Sequence, residues 1–206
     1  MVSGLVVGIG ASAGGIEALA CLLPQLRAEW EIAFAIVLHR QVVEREERLE
    51  NVLNLWSTLP VGNARDGEPI VGGRVVVAPA GVHLLVGGDG RYRFSSAPRE
   101  RHARPSVDVL FRSIGEACGK RGGGVVLSGL LDDGAAGIDC VRSRGGLTLA
   151  QNPDEALFDG MPRSAIAAGA EAVGLSRMPQ RFGAFARGAG GLVRSSPARL
   201  SASRGG

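Results

Sequence analysis

Apolar positions along the chain alternate between two periods. Leu5 to Ile9 is a short run rich in β-branched residues that ends in Gly10-Ala11-Ser12-Ala13-Gly14-Gly15, after which Ile16, Leu19, Ala20 and Leu23 recur at the spacing of one helical face. The opening therefore predicts strand, glycine turn, helix. Ile32 to Leu38 is continuously apolar, as expected of a strand covered on both faces in a parallel sheet, and the charged stretch Glu44 to Leu55 predicts a second helix. The middle differs. Arg74 to Ala78, His83 to Val86 and Arg91 to Phe94 predict short strands, the last two joined by Gly87-Gly88-Asp89-Gly90, which is hairpin chemistry, so an antiparallel excursion is expected there.

After Pro105 the helical spacing of Val107, Leu110, Phe111 and Ile114 resumes the alternation. Gly124 to Leu127 reads as a buried strand, Gly134 to Arg144 as a helix, and Leu147 to Ala150 with Pro162 to Ala168 as a further strand and helix. The expected class is α/β: a doubly wound, mostly parallel, Rossmann-like sheet with an antiparallel β-hairpin. No internal repeat or linker interrupts residues 1–180, which predict one domain.

Composition narrows the function. With 45% hydrophobic and 21% charged positions in 206 residues, the chain can bury a core of its own. Cys21, Cys118 and Cys140 stand far apart without metal-ligand spacing, so neither a disulfide nor a metal is expected, and a reducing cytoplasm fits. No apolar stretch approaches the roughly 20 residues of a membrane helix. The net charge of +3 comes from the end: residues 1–180 carry 18 bases and 20 acids, whereas Arg181, Arg187, Arg194, Arg199 and Arg204 lie in a Gly/Ala/Ser-rich segment without acids. Residues 181–206 are expected to form a basic, disordered tail. With nine aromatics in the chain and a near-neutral body, nucleic-acid binding is not indicated.

Gly10-Ala11-Ser12-Ala13-Gly14 matches G-x-S-x-G between a strand and a helix, an arrangement that presents a serine hydroxyl at the carboxyl edge of a sheet. The Ala13 N–H, at the helix start, is a candidate oxyanion donor. The same residues fit a dinucleotide turn, Gly8-x-Gly10-x-x-Ala13, so a nucleotide-binding module using Gly8 to Gly15 stays open. A ribose-binding acid is missing after the second strand, which offers Leu38-His39-Arg40, and only an NADP reading through Arg40 survives. His39 suits the esterase reading, because an imidazole there could take the Ser12 proton. An acid to orient it is available at Asp132 or Asp133, adjacent residues that cannot both face one imidazole. The order Ser, His, Asp disfavours an ordinary α/β-hydrolase.

These motifs do not stand alone. Val7 to Gly15 and the strand ending in His39 are joined by Val77-Ala78-Pro79 with His83-Leu84, and by Arg104-Pro105-Ser106-Val107-Asp108-Val109-Leu110-Phe111. Leu127-Ser128-Gly129 leads to Asp133-Gly134-Ala135-Ala136-Gly137, followed by Ala150-Gln151 and Gly160-Met161-Pro162. Across most of residues 5–175 the chain resembles the catalytic domain of the chemotaxis protein-glutamate methylesterases, the CheB-type enzymes. The resemblance implies hydrolysis of γ-glutamyl methyl esters on chemoreceptor signalling helices to glutamate and methanol, often with deamidation of receptor glutamines, and no cofactor. It assigns the triad to Ser12, His39 and Asp133, with backbone N–H groups near Ala13 and Leu130 holding the oxyanion. A relative without catalysis that only docks on receptors is a further alternative.

Three departures from the family pattern carry expectations. Leu38-His39-Arg40 replaces Gln-His-Met. Ser128-Gly129-Leu130-Leu131 replaces Thr-Gly-Met-Gly, which is expected to stiffen the loop and narrow the oxyanion pocket at Leu131. Asp132 replaces an Asn, and its charge beside Asp133 is expected to raise the pKa of one carboxylate. The receiver domain that precedes this catalytic domain in the family has no counterpart here, so activity is expected to be constitutive or controlled by a separate receiver protein. The tail arginines are expected either to assist docking on anionic receptor and membrane surfaces or to be idle.

Overall fold

The computed structural model describes Val2, residues 4–39 and residues 49–188. Seven strands form one parallel sheet. In chain order they are β1 (Leu5–Ala11), β2 (Ile32–Leu38), β3 (Val61–Asn63), β4 (Arg74–Val77), β7 (Gly122–Val126), β8 (Leu147–Gln151) and β9 (Glu171–Val173). Across the sheet the order is β3-β4-β2-β1-β7-β8-β9, and β5 (His83–Val86) with β6 (Tyr92–Ser95) forms a separate antiparallel hairpin. The expected antiparallel hairpin forms at β5 and β6, while Arg74–Val77 pairs parallel to β2 inside the main sheet.

Helices α1 (Gly15–Leu22), α2 (Leu49–Trp56), α3 (Val107–Cys118), α4 (Ala135–Ser143), α5 (Gly160–Ala167) and α6 (Met178–Gly188) cover both faces. Every residue of β1 and β2 is buried, and successive residues alternate between two cores. Val6, Ala33, Ala35 and Val37 pack with α3, α4, α5 and the hairpin, whereas Leu5, Val7, Ile9, Ile32, Phe34 and Ile36 pack with α1, α2 and α6. Of the expected second helix, residues 44–48 and the neighbouring Arg40 lie outside the described residues.

Two expectations need correcting. The buried face of α1 is Gly15, Ala18, Leu19 and Leu22, while Ile16 is 43% exposed where the helix begins at the sheet edge. Residues 181–188, expected in the tail, continue α6 as folded structure. Phe182 is fully buried, 5.4 Å centroid to centroid from Phe34 and 6.0 Å from Trp30, so one aromatic anchors this arginine-rich segment on the core. Residues 189–206 lie outside the described residues.

Candidate active site

Strand register brings the candidate residues to one edge. Ala11 pairs with Leu38 and Gly10 with Val126, so Ser12, His39 and the segment from Leu127 leave β1, β2 and β7 side by side at their carboxyl ends. Hydrogen bonds extend the ladder one step beyond the strands: His39 N donates to Ala11 O (2.9 Å), Leu127 N to Gly10 O (2.8 Å) and Ser12 N to Ser128 O (3.0 Å). The sheet order turns back at β1, with β2 on one side and β7 on the other. Open α/β sheets form their crevices at such a point.

Ser12 does not sit on a strained elbow. The left-handed residue is Gly14 (φ 71°), two positions later, where a β-carbon would also stand 2.5 Å from Ser128 Oγ. Ser12 simply ends the strand before the chain turns into α1. Gly129 faces it: a β-carbon there would lie 3.0 Å from Ser12 Cβ and 2.2 Å from Met161 Sδ, so only glycine lets the β7 loop come this close.

His39 Nε2 meets Asp133 Oδ2 at 2.8 Å, with the imidazole partly exposed and the carboxylate buried. An ionised Asp133 accepts the Nε2 proton, which leaves Nδ1 as the basic nitrogen. The carboxylate is held on every side. Oδ2 also accepts from Val107 N (2.8 Å), while Oδ1 accepts from Ser106 Oγ and Asp108 N (both 2.9 Å). Burial alone would push its pKa up, but the His39 hydrogen bond and the N–H groups of Asp108 and Val107 outweigh burial and leave it below the usual carboxylate range. The expected repulsion from Asp132 does not raise Asp133, because these donors dominate. Asp132 itself faces solvent and pairs with Arg101 at 2.5 Å.

Asp108 answers Asp133 from the opposite side. Asp133 precedes α4 yet caps the N-terminus of α3. Asp108, in the first turn of α3, caps α4 by accepting from Gly134 N (3.0 Å) and Gly137 N (2.7 Å). It is wholly buried, and burial raises its pKa against the opposing Gly137 hydrogen bond, with the Asp133 charge adding to the rise. Ser106 links the pair to the hairpin: its N–H donates to Nδ1 of buried His83 (3.2 Å), whose Nε2 donates to Pro98 O (3.0 Å). Ser106, Asp108 and His83 stand in motifs of the sequence that give no sign of this role, because their partners lie 15 to 29 positions away.

Ala13 and Leu130 flank Ser12 on the turn into α1 and on the β7 loop. Neither N–H has an intramolecular acceptor among the described residues, consistent with donors turned towards a crevice. Leu131 adopts φ 68°, a backbone that favours glycine, and its side chain is 73% exposed. A leucine at this position therefore strains the backbone, while its side chain stands in solvent. The dinucleotide reading loses its geometry. Gly8 and Gly10 lie inside β1, where β-carbons would stand 2.8 Å from Phe111 and 2.2 Å from Val107 Cγ1, so their small size serves α3 packing and no phosphate turn. Among the described residues no group of three or more His, Cys, Asp or Glu is arranged to share a metal, and no helix is long and apolar enough to cross a membrane.

Comparison with known proteins decides the family, since the CheB methylesterase family model matches residues 7–182. The chain belongs to the CheB methylesterase family. A Leptospira interrogans relative, named for protein-glutamate methylesterase and protein-glutamine glutaminase activity, is 39% identical over 163 residues, covering 78% of this chain and 82% of that one. A relative from Anaeromyxobacter dehalogenans carrying the same two activities in its name is 41% identical over 166 residues, 80% of this chain and 48% of the relative, so against that protein the chain spans about half the length. The crystal structure of the Thermotoga maritima CheB methylesterase catalytic domain superposes with a TM-score of 0.82 at 27% identity, covering 88% of this chain and 98% of that one. The parallel sheet with its hairpin is thus the CheB catalytic fold.

Proposed function

We propose that the chain is a serine esterase that cleaves protein-glutamate methyl esters on chemoreceptor signalling helices, with Ser12 as nucleophile, His39 as general base and acid, and Asp133 as the orienting carboxylate. Family membership and the names of the relatives support the methylesterase activity. The observation that carries the residue assignment is the 2.8 Å contact between His39 and an Asp133 held by three further donors, beside the strand end that presents Ser12.

In this mechanism Ser12 Oγ attacks the ester carbonyl while its proton passes to His39 Nδ1. Asp133 keeps the other proton on Nε2 and stabilises the imidazolium. The Ala13 and Leu130 N–H groups receive the oxyanion, where fixed donors stabilise charge that develops only in the transition state. Collapse expels methoxide, protonated by the imidazolium as methanol, and leaves a γ-glutamyl ester on Ser12. Water activated by His39 then attacks that ester and releases the glutamate carboxylate. A glutamine amide entering the same path would release ammonia, which is the deamidation named for the relatives.

Labelling with a fluorophosphonate tests the nucleophile. The expected outcome is one adduct per chain, located on Ser12 by mass spectrometry and lost in Ser12→Ala and His39→Ala. Labelling at another serine, or none, would overturn the assignment.

A further inference from the structure

Arg101 belongs to no part of the triad, yet among the described residues its guanidinium reaches two carboxylates of the acidic corner behind it. Its Nη1 meets Asp132 Oδ2 at 2.5 Å and its Nε stands 3.7 Å from Asp108 Oδ2. That second oxygen is buried and has no hydrogen-bond partner. Three carboxylates, Asp108, Asp132 and Asp133, therefore converge where the α3 and α4 N-termini meet, and one guanidinium bridges two of them.

The chain spends backbone strain to place this cation. Arg101 (φ 50°) and His102 (φ 64°) are consecutive left-handed residues without a glycine between them, a conformation that persists only where its surroundings enforce it. Glu100 and Ala103 clamp the turn with reciprocal backbone hydrogen bonds of 3.1 and 2.9 Å. Glu100 is in turn fixed to Arg112 of α3 through two contacts of 2.6 Å. Arg99 donates to His102 O at 3.4 Å, and Arg104 to the carbonyls of Ser96 and Ala97 at 3.1 Å. The turn is thus anchored to the same helix whose N-terminus holds Asp133.

We propose that Arg101 is a positioning residue for the esterase: by bridging Asp132 and Asp108 it balances the charge of the acidic corner, so that Asp133 serves His39 alone. The inference rests on the triad reading above. Without Arg101, the uncompensated charge of Asp132 lies next in sequence to Asp133, and the added negative potential favours a protonated His39, which cannot act as base. Among the described residues the titratable groups around this corner are His39 after β2, His83 of β5, Glu100 on the loop, and Asp108 with Arg112 on α3, whereas Arg99 and Arg104 are engaged with the loop's own carbonyls at His102, Ser96 and Ala97. Glu100 pairs with Arg112, and among the described residues Arg101 is the counter-charge to Asp132.

A charge-compensation cycle tests this with the full chain and a small soluble ester. Arg101→Gln is expected to move the acid limb of the kcat/KM pH profile about half a pH unit or more to higher pH, which lowers turnover on that limb roughly threefold. Asp132→Asn in the Arg101→Gln background is expected to return the limb to its wild-type position. Arg101→Lys, which keeps the charge and loses the planar fork, should leave it in place. A purely structural role would lower the plateau without moving the limb and would not be rescued by Asp132→Asn. Should Arg101→Gln not fold, the comparison between Arg101→Lys and its Asp132→Asn double variant carries the same reading, since removing the acid beside a retained cation must shift the limb to lower pH. An unmoved limb in Arg101→Gln, or an equal shift in Arg101→Gln with and without Asp132, overturns the proposal, as does an unmoved limb on adding Asp132→Asn to Arg101→Lys. Ser12→Ala run alongside separates the two readings: full turnover there overturns the triad itself, whereas an inactive Ser12→Ala with an unmoved limb overturns only the role of Arg101.

Discussion

Asp133 and Asp108 are buried carboxylates at one corner with opposite linkage to pH. The pKa of Asp133 is lowered in the fold because donors outweigh burial, so its stabilisation is fully present above the unfolded value of about 3.9 and is lost as pH falls through the folded value. That of Asp108 is raised by burial, so its contribution is fullest below about 3.9 and is lost as pH rises through the folded value. Asp133→Asn should therefore cost about 1–3 kcal/mol at neutral pH, the range for a charge-assisted hydrogen bond, and progressively less as pH falls below about 3.9. Asp108→Asn keeps an acceptor for Gly134 and Gly137 and should gain relative stability as pH rises. Urea midpoints between pH 3 and 8 check both, and parallel pH trends in the two variants would contradict the assignment. The candidates Ser12 and His39 stand out in the sequence as single residues because a glycine turn and a strand end mark them, whereas the choice of Asp133 over Asp132 came from the family resemblance. Ser106, Asp108, His83 and Arg101 were not, since their roles depend on contacts between segments distant in sequence.

The site is built where elements meet, and α3 is the central one. It lies against β1 because Gly10 leaves room for Val107, and its first N–H groups then fall on Asp133. Gly10→Ala would put a β-carbon 2.2 Å from Val107 Cγ1, which should cost about 1–3 kcal/mol by overpacking and lower turnover by displacing the donors of Asp133. Val107→Ala should recover part of both losses in the double variant, measured by denaturant midpoint and ester hydrolysis; wild-type stability in Gly10→Ala would contradict this packing. The continuous apolar runs of β1 and β2 made those strands readable almost to the residue. β7 begins at Gly122, two residues before the expected Gly124, because Gly122 and Gly123 carry no strand signal and pair only where the neighbouring packing leaves no room for side chains. β3 and β9 are three residues long and lie at the sheet edges, too short for a periodic pattern to identify.

At the scale of the molecule, helices on both faces leave the carboxyl edge of the sheet for chemistry, and α6 completes the layer that covers α1 and α2's side. Composition concealed this last helix, since glycine, alanine and arginine around it suggested a tail while Met178 and Phe182 carried the packing. Phe182→Ala should cost about 3–5 kcal/mol, as for other buried aromatics, and a loss below 1 kcal/mol would return residues 181–188 to the tail. The central claim is that this fold hydrolyses glutamate methyl esters through Ser12. Its most direct measurement is methanol release from a methylated chemoreceptor signalling helix by the intact chain, with Ser12→Ala as the paired control. The account predicts release of methanol in step with new glutamate carboxylates, lowered on the order of 10⁴-fold in Ser12→Ala. No methanol from the wild-type chain, or undiminished release from Ser12→Ala, would contradict it.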